Sequence, residues 1–162
     1  NIGTHDTERI LTMLDGSIEA LDQAWGLMFM MPGIPCVYYG DEAGLTGGKD
    51  PENRKFFPWQ SIDPAIFENC RKWITRRKTF DVLKQGEFFP FYSQKQQIFG
   101  IIRYLEEAYV IYAINLSEQE QSLKVSELIS PRAYRGDYAV LNRIMENKYL
   151  APKDSFFAYE TK

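Results

Sequence analysis

The chain has a single histidine, His5, and two cysteines, Cys36 and Cys70, in 162 residues. A lone imidazole and two thiols with no partner at ligand spacing cannot complete a zinc set, so neither a metal nor a cofactor is expected. Both cysteines lie in apolar stretches and read as reduced core thiols. Positive charge is not in excess: Lys+Arg 19 against Asp+Glu 22 leaves a net charge of -3, which gives a polyanion nothing to hold and argues against nucleic acid as a partner. The densest basic run, RKWITRRK at 71–78, falls on a helical stretch and reads as its solvated face. Long apolar runs are missing too, and the first residues lack the charged-then-apolar pattern of a secretion signal, so no membrane partner is expected.

Aromatic residues are abundant instead, with eleven Phe, ten Tyr and three Trp, and hydrophobic residues reach 44%. That composition suits a packed core, in one ordinary domain or in one small domain plus part of another. From Ser17 to Met31 the apolar residues Ile18, Leu21, Trp25, Met28 and Phe29 recur at helical spacing, with Glu19 and Asp22 near the start, where the helix dipole favours anions. WGLMFMM, apolar all round, predicts burial on every side, and PGIP at 32–35 stops the helix. IPCVYYG at 34–40 then has the form of a short strand buried on both faces of a parallel sheet. A long polar loop, GDEAGLTGGKDPENRK at 40–55, follows it, and such loops are more often functional than decorative. Asp63 and Pro64 start a helix running to about Phe80 with Phe67, Cys70 and Ile74 on one face.

Beyond Gln85 the pattern changes to short aromatic or β-branched runs between polar turns. GEFFPFYS (86–93), IFGIIRYLE (98–106), AYVIYAINLS (108–117), QSLKVSEL (121–128), YAVLNRI (138–144) and SFFAYET (155–161) predict an all-β antiparallel sandwich. The expected division is an α/β region at 1–82 and a sandwich domain at 83–162.

Two features carry chemistry. In GTHDTER (3–9) a carboxylate, Asp6, stands beside the only imidazole, His5; a pair of this kind suits hydrolysis, although taken alone it is more simply read as Asp6 or Thr7 capping the turn that follows. Asp50 and Arg54, four residues apart in a loop broken by Gly and Pro, can present a carboxylate and a planar guanidinium to paired sugar hydroxyls, or simply pair with each other.

GTHDTERIL, LMFMMPGIPCVYYGDEAGLTGG and DPENRKFFPW, in this order, resemble the last part of the catalytic barrel of the α-amylase family of glycoside hydrolases, in its neopullulanase, cyclomaltodextrinase and maltogenic amylase branch. The resemblance is dense over residues 1 to about 60, and it implies an α/β remnant of the end of a TIM-type (β/α)8 barrel followed by an antiparallel β-sandwich. It further implies that THD ends the seventh barrel strand and that GIPCVYYG is the eighth. Asp6 would then be the catalytic carboxylate that stabilises the oxocarbenium-like transition state, and His5 would bind the same ring. Asp50 and Arg54 would contact sugar, while Tyr38, Tyr39 and Glu42 would support the strand end. RKFFPW departs from the R-P-M-x-W usual in this branch, so the wall near Phe56, Phe57 and Trp59 is expected to differ, and Thr4 stands where many members have Asn.

Retaining hydrolysis also needs a nucleophile and a general acid, which in the family precede the His-Asp motif. RGD (135–137) and GE (86–87) echo those signatures only in the wrong order and context. The expectation is therefore the C-terminal part of an enzyme acting on α-glucosidic linkages of starch-like or cyclic maltooligosaccharides, inactive on its own. The barrel remnant would be covered by another chain, a symmetry mate or the rest of the barrel. The alternative is a non-catalytic carbohydrate-binding or structural module using sandwich aromatics such as Tyr92, Tyr104 or Tyr112.

Overall fold

A single helical turn, α1 (Ile10–Met13), leads into α2 (Ile18–Met30) in the computed structural model, which describes residues 1–161. Ser17 starts α2: its hydroxyl accepts the Ala20 amide at 3.1 Å, satisfying one of the donors that a helix start leaves unpaired. Asp63 does the same for α3 (Pro64–Thr79), accepting the amides of Ala65 and Ile66 at 2.9 and 3.1 Å. The two helices pack together, and Asp22 of α2 accepts from the Trp73 indole at 2.7 Å and the Lys72 ammonium at 3.0 Å.

The buried face of α3 is not the expected one. Ile66, Cys70, Trp73 and Arg77 are buried, while Phe67 is exposed and Ile74 half-buried. Trp73 displaces the smaller residues because it covers more apolar surface and its indole finds a partner in Asp22. The basic run is not wholly solvated either. Arg77 is buried and donates to the carbonyls of Phe29, Met31 and Gly33 at 2.8, 3.0 and 2.5 Å, closing the C-terminal end of α2.

Neither expected barrel strand forms a ladder. Residues 1–4 and 34–38 are irregular, and Ile34 is 96% exposed. A parallel strand needs neighbours to pair its amides and carbonyls, and among the described residues up to Phe80 there is no strand to serve. Cys36, on this segment, is exposed rather than a core thiol. Cys70 is buried, and burial, with the nearby carboxylates of Glu42 and Asp41, pushes its thiol up to about 12.

The chain divides into two compact units, Asn1–Phe80 and the residues from Asp81 onward. The second begins with α4 (Asp81–Gln85) and continues through β1 (Glu87–Ser93), β2 (Ile98–Leu105), β3 (Ala108–Asn115), β4 (Gln121–Ser122), α5 (Val125–Leu128), α6 (Tyr138–Met145), β5 (Tyr149–Leu150) and β6 (Ser155–Thr161). An antiparallel sheet of order β1-β2-β3-β6 is its centre, with Phe91 opposite Gly100 and Ile102 opposite Ile111. A side chain at Gly100 would strike the Phe91 ring, so glycine lets that aromatic lie flat across the sheet.

Two expected strands are corrected. YAVLNRI is the helix α6, because the Asp137 carboxylate caps it by accepting the amides of Ala139 and Val140 at 2.9 and 3.4 Å, and winding it buries Val140, Leu141, Ile144 and Met145 together. QSLKVSEL forms only the two-residue β4, paired with β5, before turning into α5. One face of the sheet is thus covered by α5, α6 and a short ribbon rather than by a full second sheet, and the expected all-β sandwich is an α+β unit. Tyr112 is 1% exposed, and Tyr104 lies against Tyr109 and Tyr134 with ring centroids 6.2 and 5.4 Å away. Of the three aromatics considered for sugar binding, only Tyr92 is exposed.

Candidate active-site loops

The turn at Thr4 to Thr7 holds itself together. The Thr4 amide donates to the Thr7 hydroxyl at 3.2 Å and the Asp6 amide to the Thr4 hydroxyl at 3.1 Å. Threonine hydroxyls do the local fastening, so the carboxylate of Asp6 is not spent on a cap. It lies 3.3 Å from the His5 imidazole instead, with the two side chains 73% and 62% exposed. Downstream, Arg54 Nε meets Asp50 Oδ1 at 3.0 Å, again in solvent. An ion pair this exposed adds little to stability. What it provides is a guanidinium and a carboxylate held side by side at the surface, both available to hydroxyls.

Asn53 brings these two loops together. It is buried, and its side-chain amide donates to the carbonyls of His5 and Thr7, both at 2.8 Å. The four expected site residues, His5, Asp6, Asp50 and Arg54, therefore flank one bridging amide. A second link runs from the Arg9 amide to the Gly47 carbonyl at 2.9 Å, and a third from the Gly47 amide to the Thr12 hydroxyl at 2.9 Å.

Beneath the loops lies a buried ion pair. Arg9 donates to the Tyr39 carbonyl at 2.5 Å and to Asp41 Oδ1 at 3.1 Å, and its guanidinium rests on the rings of Tyr38 and Tyr39 at 4.2 and 4.7 Å. Burial pushes the Asp41 carboxyl up to about 6 against the opposing pull of Arg9. Gly3 lets Asp41 in, since a side chain there would collide with Oδ2. The Tyr39 hydroxyl donates to the Lys55 carbonyl at 2.9 Å, so Tyr38 and Tyr39 brace the loops. Phe56 and Trp59 are exposed beyond them, with the Phe57 and Trp59 rings 4.5 Å apart.

Sequence reasoning missed Asn53, Arg9 and Asp41. Their partners lie 30 or more residues away along the chain, and the only signal was a polar residue within each motif. Chemically the loops can bind a polyhydroxylated ligand and stabilise positive charge. Among the described residues no cluster of metal-ligating side chains occurs.

Residues 1–108 match the family described as the alpha amylase catalytic domain. A cyclomaltodextrinase from Thermoanaerobacter pseudethanolicus is 33% identical over 129 residues, 78% of this chain, and a maltogenic alpha-amylase from Bacillus acidopullulyticus is 35% identical over 130 residues, 77% of it. The chain spans 22% of the length of each of these relatives. Among solved structures, the cyclic alpha-maltosyl-(1-->6)-maltose hydrolase from Arthrobacter globiformis is similar at a TM-score of 0.80 and 25% identity, over 98% of this chain and 34% of that one. A debranching enzyme from Nostoc punctiforme is similar at a TM-score of 0.67 and 36% identity, over 74% of this chain and 24% of that one.

Proposed function

The chain belongs to the α-amylase family, in its neopullulanase branch, and from that membership we propose that it supplies one wall of the active site of a retaining glycoside hydrolase. The substrate class is α-glucosidic linkages of starch-like or cyclic maltooligosaccharides. Residues 1–82 are the end of the catalytic (β/α)8 barrel and residues 83–162 the domain that follows it. The observation that carries this reading is the Asn53 bridge, which sets the His5–Asp6 pair and the Asp50–Arg54 pair beside one another at the surface.

As the glycosidic bond breaks, positive charge develops on the sugar ring, and a carboxylate fixed nearby is worth most at that moment. Asp6 takes that role. The His5 imidazole, 3.3 Å away, orients the carboxylate and offers a hydrogen bond to the same ring. Asp50 and Arg54 grip hydroxyls of a neighbouring sugar, carboxylate as acceptor and guanidinium as donor. The nucleophile and the general acid come from a part of the enzyme outside residues 1–162, so these residues alone do not hydrolyse glucan at an enzymatic rate.

Asp6→Asn in the full-length enzyme tests this directly. It keeps the shape but removes the charge, and kcat on a cyclomaltodextrin is expected to fall by about 10²–10³ or more while the fold persists. Unchanged kcat would overturn the assignment.

A further inference from the structure

The second unit holds a cleft that none of this chemistry uses. It encloses about 590 Å³ between the start of α5, the end of α6 and the β4–β5 ribbon, within the range of about 300–1,000 Å³ typical of small-molecule sites. Its floor is apolar: Leu123, Val125 and Met145 are each buried and belong to the unit's core. Its rim is polar. Ser126 and Asn142 line it, and so does Tyr149, 62% exposed on β5 opposite Ser122. Asn147 takes a positive φ of 55°, which turns the end of α6 back into β5 and brings Tyr149 to the cleft.

Charge decides what such a cleft accepts. Lys124 is answered by Glu127 at 3.6 Å, and Arg143 by Glu160. Lys148 and Glu146 both line the cleft, one charge of each sign. With Lys124 and Arg143 each paired and a carboxylate, Glu146, in the same lining as Lys148, an anion gains little, whereas a neutral molecule with one apolar face and many hydroxyls meets aromatic, amide and hydroxyl side chains above an apolar floor. A pyranose has that form.

We propose that this cleft binds a neutral oligosaccharide, with a sugar ring stacked on Tyr149 and its hydroxyls bonded to Asn142 and Ser126. That the oligosaccharide is an α-glucan rests on the function proposed above; the preference for a neutral polyol rests on the cleft alone. The site would hold glucan on the second unit, apart from the chemistry proposed for the first.

The test is titration of the 162-residue chain with maltoheptaose, followed by calorimetry and by amide chemical shifts, with inorganic phosphate as the anionic probe. Shifts are expected at Ser126, Asn142 and Tyr149. Tyr149→Ala weakens binding at least about tenfold, Tyr149→Phe restores most of it because stacking needs no hydroxyl, and Arg54→Ala leaves these shifts unchanged. Phosphate shifting the same amides while maltoheptaose does not, or maltoheptaose binding that Arg54→Ala abolishes and Tyr149→Ala does not touch, would overturn the proposal. The active-site reading fails separately, on kcat of Asp6→Asn in the full-length enzyme.

Discussion

Asn53 carries no charge and would take no part in bond breaking, yet two loops lying 46 and 48 residues apart along the chain meet on its side chain. Asn53 is buried and its two hydrogen bonds are partly so, and removing the donor leaves two carbonyls without it. Asn53→Ala is therefore expected to destabilise the chain by about 1–3 kcal/mol in urea unfolding. In the enzyme proposed above it should raise KM and lower kcat together, because both proposed site pairs lose their register. Asp41 offers a second test through pH. Its carboxyl sits at about 6 when folded, above the ordinary value of 3.8, chiefly because burial disfavours its charge, with Glu42 adding to that and Arg9 opposing it. Between those values the folded chain keeps a proton that the unfolded chain has lost. Asp41 therefore contributes a stability that declines as pH rises from about 4 to about 6 and stays lost above it. Asp41→Asn, which still accepts from Arg9, should flatten this part of the profile, and the difference between the two unfolding curves at pH 4 and pH 7 measures it.

At the scale of the element, what the sequence makes readable depends on how local the cause is. Ser17 and Asp63 announce their helices because a cap is a bond across two or three residues. The strands β1, β2, β3 and β6 are readable because each is a short aromatic or β-branched run between polar turns, a composition that favours extended backbone whichever face is buried. Helix α6 was hidden by Tyr138 and Val140, residues that favour strands, although Asp137 and the spacing of Val140, Leu141, Ile144 and Met145 already fit a helix. Arg77 could not have been read at all. Nothing near it in sequence shows that its fork reaches three carbonyls at the far end of α2. Arg77→Lys is the informative change, since an ammonium keeps the charge but cannot span the carbonyls of Phe29, Met31 and Gly33. Its unfolding midpoint in urea should fall, with a loss of about 2–4 kcal/mol, whereas Arg71→Lys on the exposed face, where Arg71 bonds Glu68, should shift it little.

At the scale of the whole molecule, the two expected pairs, His5–Asp6 and Asp50–Arg54, do lie within ion-pair distance, while the expected barrel strands beside them were not realised. The cause is physical. A strand buried on both faces is specified by neighbours as much as by its own residues, and IPCVYYG has the composition without the neighbours. Its exposed Ile34 lines a groove of about 380 Å³ with Ile2, Met31 and Pro35, apolar surface that water does not solvate favourably. If the rest of a barrel covers this segment in the full-length enzyme, as proposed, its amides there belong to a ladder. Hydrogen exchange should separate the two situations. In the 162-residue chain the amides of residues 36–39 should exchange as open backbone, since no strand pairs with them, while those of β2 and β3, paired along eight residues each, should be strongly protected. In the full-length enzyme the same amides of 36–39 should become protected to the level of β3. Equal protection in both would mean that this segment finds its partners without the proposed barrel, and the proposed assembly of the site would have to be abandoned.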